Sequence, residues 1–139
     1  MKTTSRGRPA TLAEVAHLRL SGCPFDPSLL EFLDEFYVSD AAPRQMAIVE
    51  KPPLVSRVHD AYLAAVAEHL GLSYGLTIPL WTEEPNRFLE TPFFAGGAEV
   101  LKALLLVESP LAFRRRQIFV SRDALHRPRM EALAQSRIF

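Results

Sequence analysis

One cysteine, Cys23, is all the thiol this 139-residue chain carries. An internal disulfide is therefore excluded, and stability must come from an apolar core, as suits a reducing compartment. Metal-ligand spacing is missing as well. There is no C-x-x-C and no H-E-x-x-H, and His17, His59, His69 and His126 are never three or four residues apart. Gly96-Gly97 lacks the downstream Lys-Ser/Thr of a phosphate-cradling loop. Asp34-Glu35 and Glu83-Glu84 are adjacent pairs, whose side chains diverge on a helix instead of sharing a site. Cys23 has His17 and Asp26 near it in sequence, but proximity along the chain is not triad geometry, and a structural thiol is the plainer reading. No catalytic, metal or cofactor motif is left, so the chain reads as a non-enzyme without a cofactor. No apolar run is long enough to cross a membrane, and none follows the basic N-terminus as a signal peptide requires. A cytoplasmic protein is expected. Internal repeats, heptads and low-complexity tracts are absent too.

Net charge is also lacking: sixteen bases cancel sixteen acids. Their distribution says more than their sum. Residues 1–8 hold Lys2, Arg6 and Arg8 with no acid; residues 9–112 hold six bases against fourteen acids; residues 113–139 hold seven arginines against Asp123 and Glu131. The middle is acidic and both ends are basic. Either the ends fold back over the middle, or a basic end meets an anionic partner.

What is present is apolar mass, 48% of the residues, enough to bury roughly two-thirds of the unfolded surface in a chain of this size. Eleven prolines keep the elements short. The expected fold is all-α: a single-domain compact bundle of about six short helices around a central apolar helix. Residues 1–10 are expected to form a flexible basic tail and residues 11–139 the helical domain. The central helix is placed at residues 98–107, where only Glu99 and Lys102 interrupt the apolar side chains. Thr11-Leu12-Ala13-Glu14 is a capping box that starts a helix running to Leu20. Asp26 is expected to cap the next, with Pro27 in its first turn and Leu29, Leu30, Leu33, Phe36 and Tyr37 on its apolar side. Asp40 starts a shorter helix carrying Met46 and Val49. Val58, Ala61, Tyr62, Ala65, Val66 and Leu70 form the clearest amphipathic stripe, with Gly71 suited to its left-handed cap. Thr82 or Glu83 opens a short helix around Pro85, Thr91 to Gly97 reads as a loop, and a last helix begins at Pro128. Gln117-Ile118-Phe119-Val120 has strand composition but no evident partner strand, which leaves it extended or helical.

Three groups of residues are candidates for contact with other molecules. Arg114-Arg115-Arg116 is the first. Three consecutive positions cover about 300° of a helix, so at least one guanidinium must turn inward or toward a partner. An inward arginine needs a carboxylate, from Glu99, Glu108 or the acidic middle. Trp81, Phe93 and Phe94 are the second group. They lie in proline-flanked connections, where aromatics either plug the end of a bundle or anchor an interface. Lys2, Arg6 and Arg8 are the third, as a nucleic-acid contact. The run from Arg6 to Ala16 resembles the opening of a helix-turn-helix repressor, which implies a recognition helix next. The helix that follows here is acidic, and phosphate would repel it.

Ser109-Pro110-Leu111-Ala112-Phe113-Arg114-Arg115-Arg116-Gln117-Ile118-Phe119-Val120-Ser121 with Ala124-Leu125 resembles the tail of a group of small bacterial proteins. Leu33 to Tyr37, Ala61 to Glu68, and Trp81 with Glu84-Pro85 and Arg87-Phe88-Leu89 extend the resemblance over most of the chain. Members of that group are often encoded beside nucleotidyltransferase-like proteins in arrangements resembling toxin–antitoxin pairs. The resemblance implies a protein partner, either a neighbouring gene product or a second copy of the chain. It supplies no functional residues. The expected function is therefore a protein-interaction module, antitoxin-like, with a DNA-binding regulator using the basic ends as the alternative.

Overall fold

The computed structural model describes residues 7–95 and 102–127. The chain is mostly helical. The described residues form six α-helices, α1 (Leu12–Leu20), α2 (Phe25–Val38), α3 (Ala41–Val49), α4 (Arg57–Tyr74), α5 (Lys102–Glu108) and α6 (Leu111–Arg114). Two 3-10 helices lie at Leu80–Glu83 and Pro85–Arg87, and two short strands, β1 (Phe93–Phe94) and β2 (Ile118–Phe119), complete the described residues. No helix among them is long and apolar enough to cross a membrane. The chain divides into two compact units: residues 7–53 with 125–127, and residues 54–124.

In the first unit the capping box forms with a shift. Thr11 Oγ1 accepts from the Glu14 amide at 3.0 Å, while Glu14 Oε1 accepts from the Ala10 amide, one residue earlier than the usual reciprocal bond. The second helix starts before the expected cap. Pro24 takes the N-cap position and Asp26 falls inside the first turn. Burying Phe25 explains the difference: its ring joins the Leu29–Phe32–Leu33–Phe36 stripe only if the helix begins there. Asp26 still favours that end, because a negative charge in the first turn suits the helix dipole. Asp40 does stand at the N-cap of α3, without a side-chain cap bond. Met46 and Val49, however, are not what α3 buries; Ala47 and Ile48 are. The chain returns to this unit at Leu125, whose carbonyl accepts from Tyr37 Oη at 2.7 Å. Arg127 then grips Asp34 with two bonds of 2.7 and 3.1 Å.

In the second unit the core helix is α4, which corrects the expectation for residues 98–107. Residues 98–101 lie outside the described residues, as do those from Pro128 onward, where a last helix was expected. In α5, Leu105 is the buried side chain, while Leu104, Leu106 and Val107 are exposed. By contrast α4 buries ten residues, Ala61, Ala64, Ala65 and Ala67 among them. Alanines let neighbouring elements approach the helix axis closely, so α4 can be enclosed on several sides. The α4 helix also runs one turn past Gly71 and ends on Gly75, whose φ of 66° supplies the left-handed cap. Gly71 serves a different need. A Cβ there would lie 2.7 Å from Ile78 Cγ1, so the bare backbone makes room for the returning chain.

Gln117 is a turn residue with φ 66°, and the extended strand that follows it finds its partner in the stretch read as loop. β1 pairs with β2 in parallel, Phe93 opposite Ile118 and Phe94 opposite Phe119. The Phe93 amide donates to the Gln117 carbonyl at 2.8 Å and the Ala95 amide to the Phe119 carbonyl at 3.0 Å. Phe94 stacks on Phe119 with ring centroids 5.0 Å apart. The buried hydroxyl of Ser109 faces the Leu105 carbonyl and both backbone groups of Val120, accepting from the Val120 amide at 2.9 Å. It ties the end of α5 to the end of β2.

Candidate functional site

Arg116 follows the C-cap residue of α6, Arg115, and points into the second unit. Its side chain is fully buried. Nη1 donates to Glu68 Oε1 at 2.5 Å and to the Ala112 carbonyl at 2.8 Å, and Nη2 donates to the Thr82 carbonyl at 2.8 Å. Arg115, one residue earlier, reaches the same Glu68 oxygen at 2.7 Å. It also grips Glu83 side by side, at 2.8 and 3.0 Å. Both guanidinium groups lie over the Phe88 ring, 5.2 Å away for Arg115 and 4.7 Å for Arg116. α4 supplies Glu68, the 3-10 helix at Leu80–Glu83 supplies Thr82 and Glu83, and α6 leads into the two arginines.

The electrostatics separate these two neighbours. The hydrogen bond to Glu83, then that to Glu68, raises the Arg115 pKa above the ordinary arginine value. Burial lowers that of Arg116, against the pull of Glu68. Arginine stays protonated in either case, so the result is a permanent cation held in the interior by one carboxylate and two carbonyls. The Glu83 carboxyl is held below the usual carboxylate range, chiefly by the Arg115 hydrogen bond. A second buried arginine lies close by. Arg87 donates to the Asp60 carbonyl at 3.3 Å and stacks over Trp81 at 4.9 Å, and burial lowers its pKa. Asp60 Oδ1 meanwhile accepts from the Val55 amide at 2.7 Å ahead of α4.

The expected contact residues thus fall into different places. Arg116 and Trp81 are buried, and their packing holds the unit together. Arg115 is engaged by Glu68 and Glu83. Phe93 and Phe94 are half-buried in β1, with the Lys102 ammonium 5.0 Å from the Phe94 ring. Only Arg114 of the cluster is exposed without an ion partner among the described residues. Lys2 and Arg6 lie outside the described residues, and Arg8 is 3.6 Å from Glu35 in the first unit.

Sequence reasoning missed Glu68, Glu83, Asp60 and Arg87. One signal was available for Glu68. It falls at helical spacing from Ala61 and Ala65, on the buried stripe of α4, and a carboxylate there demands a cation. Each of these acids faces a guanidinium or an amide. Among the described residues no group of three or more histidines, cysteines or acids is placed to hold a metal ion. No family model, curated protein or solved structure matches the chain.

Proposed function

We propose that the chain is a non-enzymatic protein-interaction module and that it meets its partner through α5 and α6. One observation carries this reading: Val107 is 76% exposed, Leu111 58%, Leu104 52% and Leu106 46%, within two consecutive helices. Scattered exposed leucines need no explanation, but four in eight positions fit a contact surface. Arg114 adds a cation to the same stretch, and interface anchors are rich in arginine beside apolar groups. The resemblance to proteins encoded beside nucleotidyltransferase-like proteins, in arrangements resembling toxin–antitoxin pairs, supports a partner from a neighbouring gene, and so an antitoxin-like role.

Co-expression with the products of adjacent genes, followed by affinity purification, tests the proposal. A neighbour is expected to co-purify with the wild-type chain. Val107→Asp and Leu111→Asp should abolish the capture and leave the thermal melt within about 2 °C, because substitutions at exposed positions cost little. Failure of every neighbour to co-purify, or capture unaffected by both variants, would overturn it.

A further inference from the structure

Residues 89–95, which carry β1, contain no buried side chain: each is exposed or half-buried. The strand they lie on is the reverse. Ile118, Phe119 and Val120 are 0%, 8% and 1% exposed. β2 is also fastened without β1, because the Val120 amide donates to Ser109 Oγ at 2.9 Å and both α5 and α6 pack against the strand. One strand therefore belongs to the core of the second unit, and the other lies over it.

The outer segment is held by contacts that each contribute modestly. Its amides donate to β2 and the residue before it: Leu89 to the Arg116 carbonyl at 3.3 Å, Phe93 to Gln117 at 2.8 Å and Ala95 to Phe119 at 3.0 Å. Phe94 stacks on Phe119, with the Lys102 ammonium 5.0 Å from its ring. Glu90 meets Arg57 at 3.9 Å with both side chains 83% exposed, a pair that adds little. Parallel pairing is the weaker kind, and two short strands are not stable in water by themselves. Just before the segment, Arg87 is fully buried over Trp81, which gives it a fixed point to turn about.

We propose that residues 89–95 form a strap that lifts from β2 while the rest of the second unit stays folded. Lifting breaks backbone bonds and one ring stack but takes no fully buried side chain out of the core. Segments with few buried apolar contacts open at free energies well below that of global unfolding. The lifted state uncovers the Phe119 ring and frees the carbonyls of Gln117 and Phe119, on the strand that α5 packs against. The strap thus governs how much apolar surface adjoins α5. A consequence for partner binding rests on the partner reading above, whereas the lifting is a property of the isolated chain.

Native-state hydrogen exchange on the isotopically labelled full-length chain, with and without low urea, tests it. The Phe93 and Ala95 amides are expected to exchange at least about a hundredfold faster than those of Ala64 and Val66 in α4. Their rates should also hold steady as urea rises below the unfolding transition, because a local opening exposes little surface. The Val120 amide should follow α4. Phe94→Ala should speed Phe93 and Ala95 about tenfold further by removing the ring stack, and Lys102→Gln about threefold by removing the cation over it. In Phe94→Ala the far-ultraviolet circular dichroism should stay at the wild-type level, with Ala64 and Val66 still at least about a hundredfold slower than the strap. Strap amides exchanging at the α4 rate with the same urea dependence would overturn the proposal. So would Val120 exchanging with the strap, or a loss of α4 protection in Phe94→Ala, since either would mean that β1 leaves only when the unit opens around it.

Discussion

Replacing Arg116 with alanine leaves Glu68 with one guanidinium where there were two and strips the Ala112 and Thr82 carbonyls of their donor. Breaking a buried, hydrogen-bonded pair costs about 3–5 kcal/mol, so the melting temperature should fall by roughly 10 °C in a domain of this size. Arg115→Ala should cost about 1 kcal/mol, because its side chain is a third exposed and Glu83 is half exposed. Arg114→Ala should stay within about 0.5 kcal/mol. Melts of the three variants check the order, and a wild-type melt for Arg116→Ala would remove the structural role assigned here. Acid titration adds two expectations. Glu83 is depressed by Arg115, so its contribution is present above the unfolded value near 4.5 and is lost as pH falls through the lower folded value; Glu83→Gln should soften acid unfolding in that range. His69 is depressed by burial, so the unfolded chain binds its proton first. Stability should fall as pH drops below about 6.5, and His69→Gln should flatten that slope in a pH series of melts. The sequence made one feature of this cluster legible: three adjacent arginines cannot all face water. Which carboxylate answers was not legible. Glu108 was a natural choice by proximity, yet it takes the Arg122 amide and guanidinium, and Glu68 comes from 48 residues upstream of Arg116.

At the scale of elements, a helix start is written in the sequence where a side chain caps it. Thr11 and Ser56 cap α1 and α4 with their own hydroxyls, a signal written in the local sequence. The end of α4 was misplaced because Gly71 and Gly75 look alike in sequence and differ only in what approaches them. The Gly71 site should therefore resist even alanine. Helix propensity favours Gly71→Ala by about 1 kcal/mol, but the Ile78 contact should outweigh it and leave a net loss of about 1–2 kcal/mol. Adding Ile78→Ala should recover part of that loss in a double-mutant cycle followed by urea unfolding; simple additivity would mean the contact is not the cause. Ser109→Ala should cost about 1–3 kcal/mol by leaving the buried Val120 amide without its acceptor. The β1–β2 pair escaped sequence reading for another reason. Two-residue strands carry no period, and the partners stand 25 residues apart in register.

Over the whole molecule, the basic C-terminal stretch answers the acidic middle. Arg115, Arg116, Arg122 and Arg127 contact Glu68, Glu83, Glu108 and Asp34. Because these cations already face carboxylates, the isolated protein should not retard duplex DNA at physiological salt. A salt-sensitive mobility shift under those conditions would favour the DNA-binding reading instead. The same pairing sets a clock on synthesis. Glu68 leaves the ribosome 47 residues ahead of Arg115 and 48 ahead of Arg116. At about 5–20 residues per second, roughly 2–10 s pass in which α4 exists without the cations that let it be buried. An acid on a helix otherwise lined with alanine and leucine keeps the nascent segment hydrated during that interval. The ion pairs that answer Glu68 can form only once Arg115 and Arg116 have been made, so a chain truncated before residue 115 is expected to expose α4 to early proteolysis, which limited digestion of the truncated and full-length chains checks.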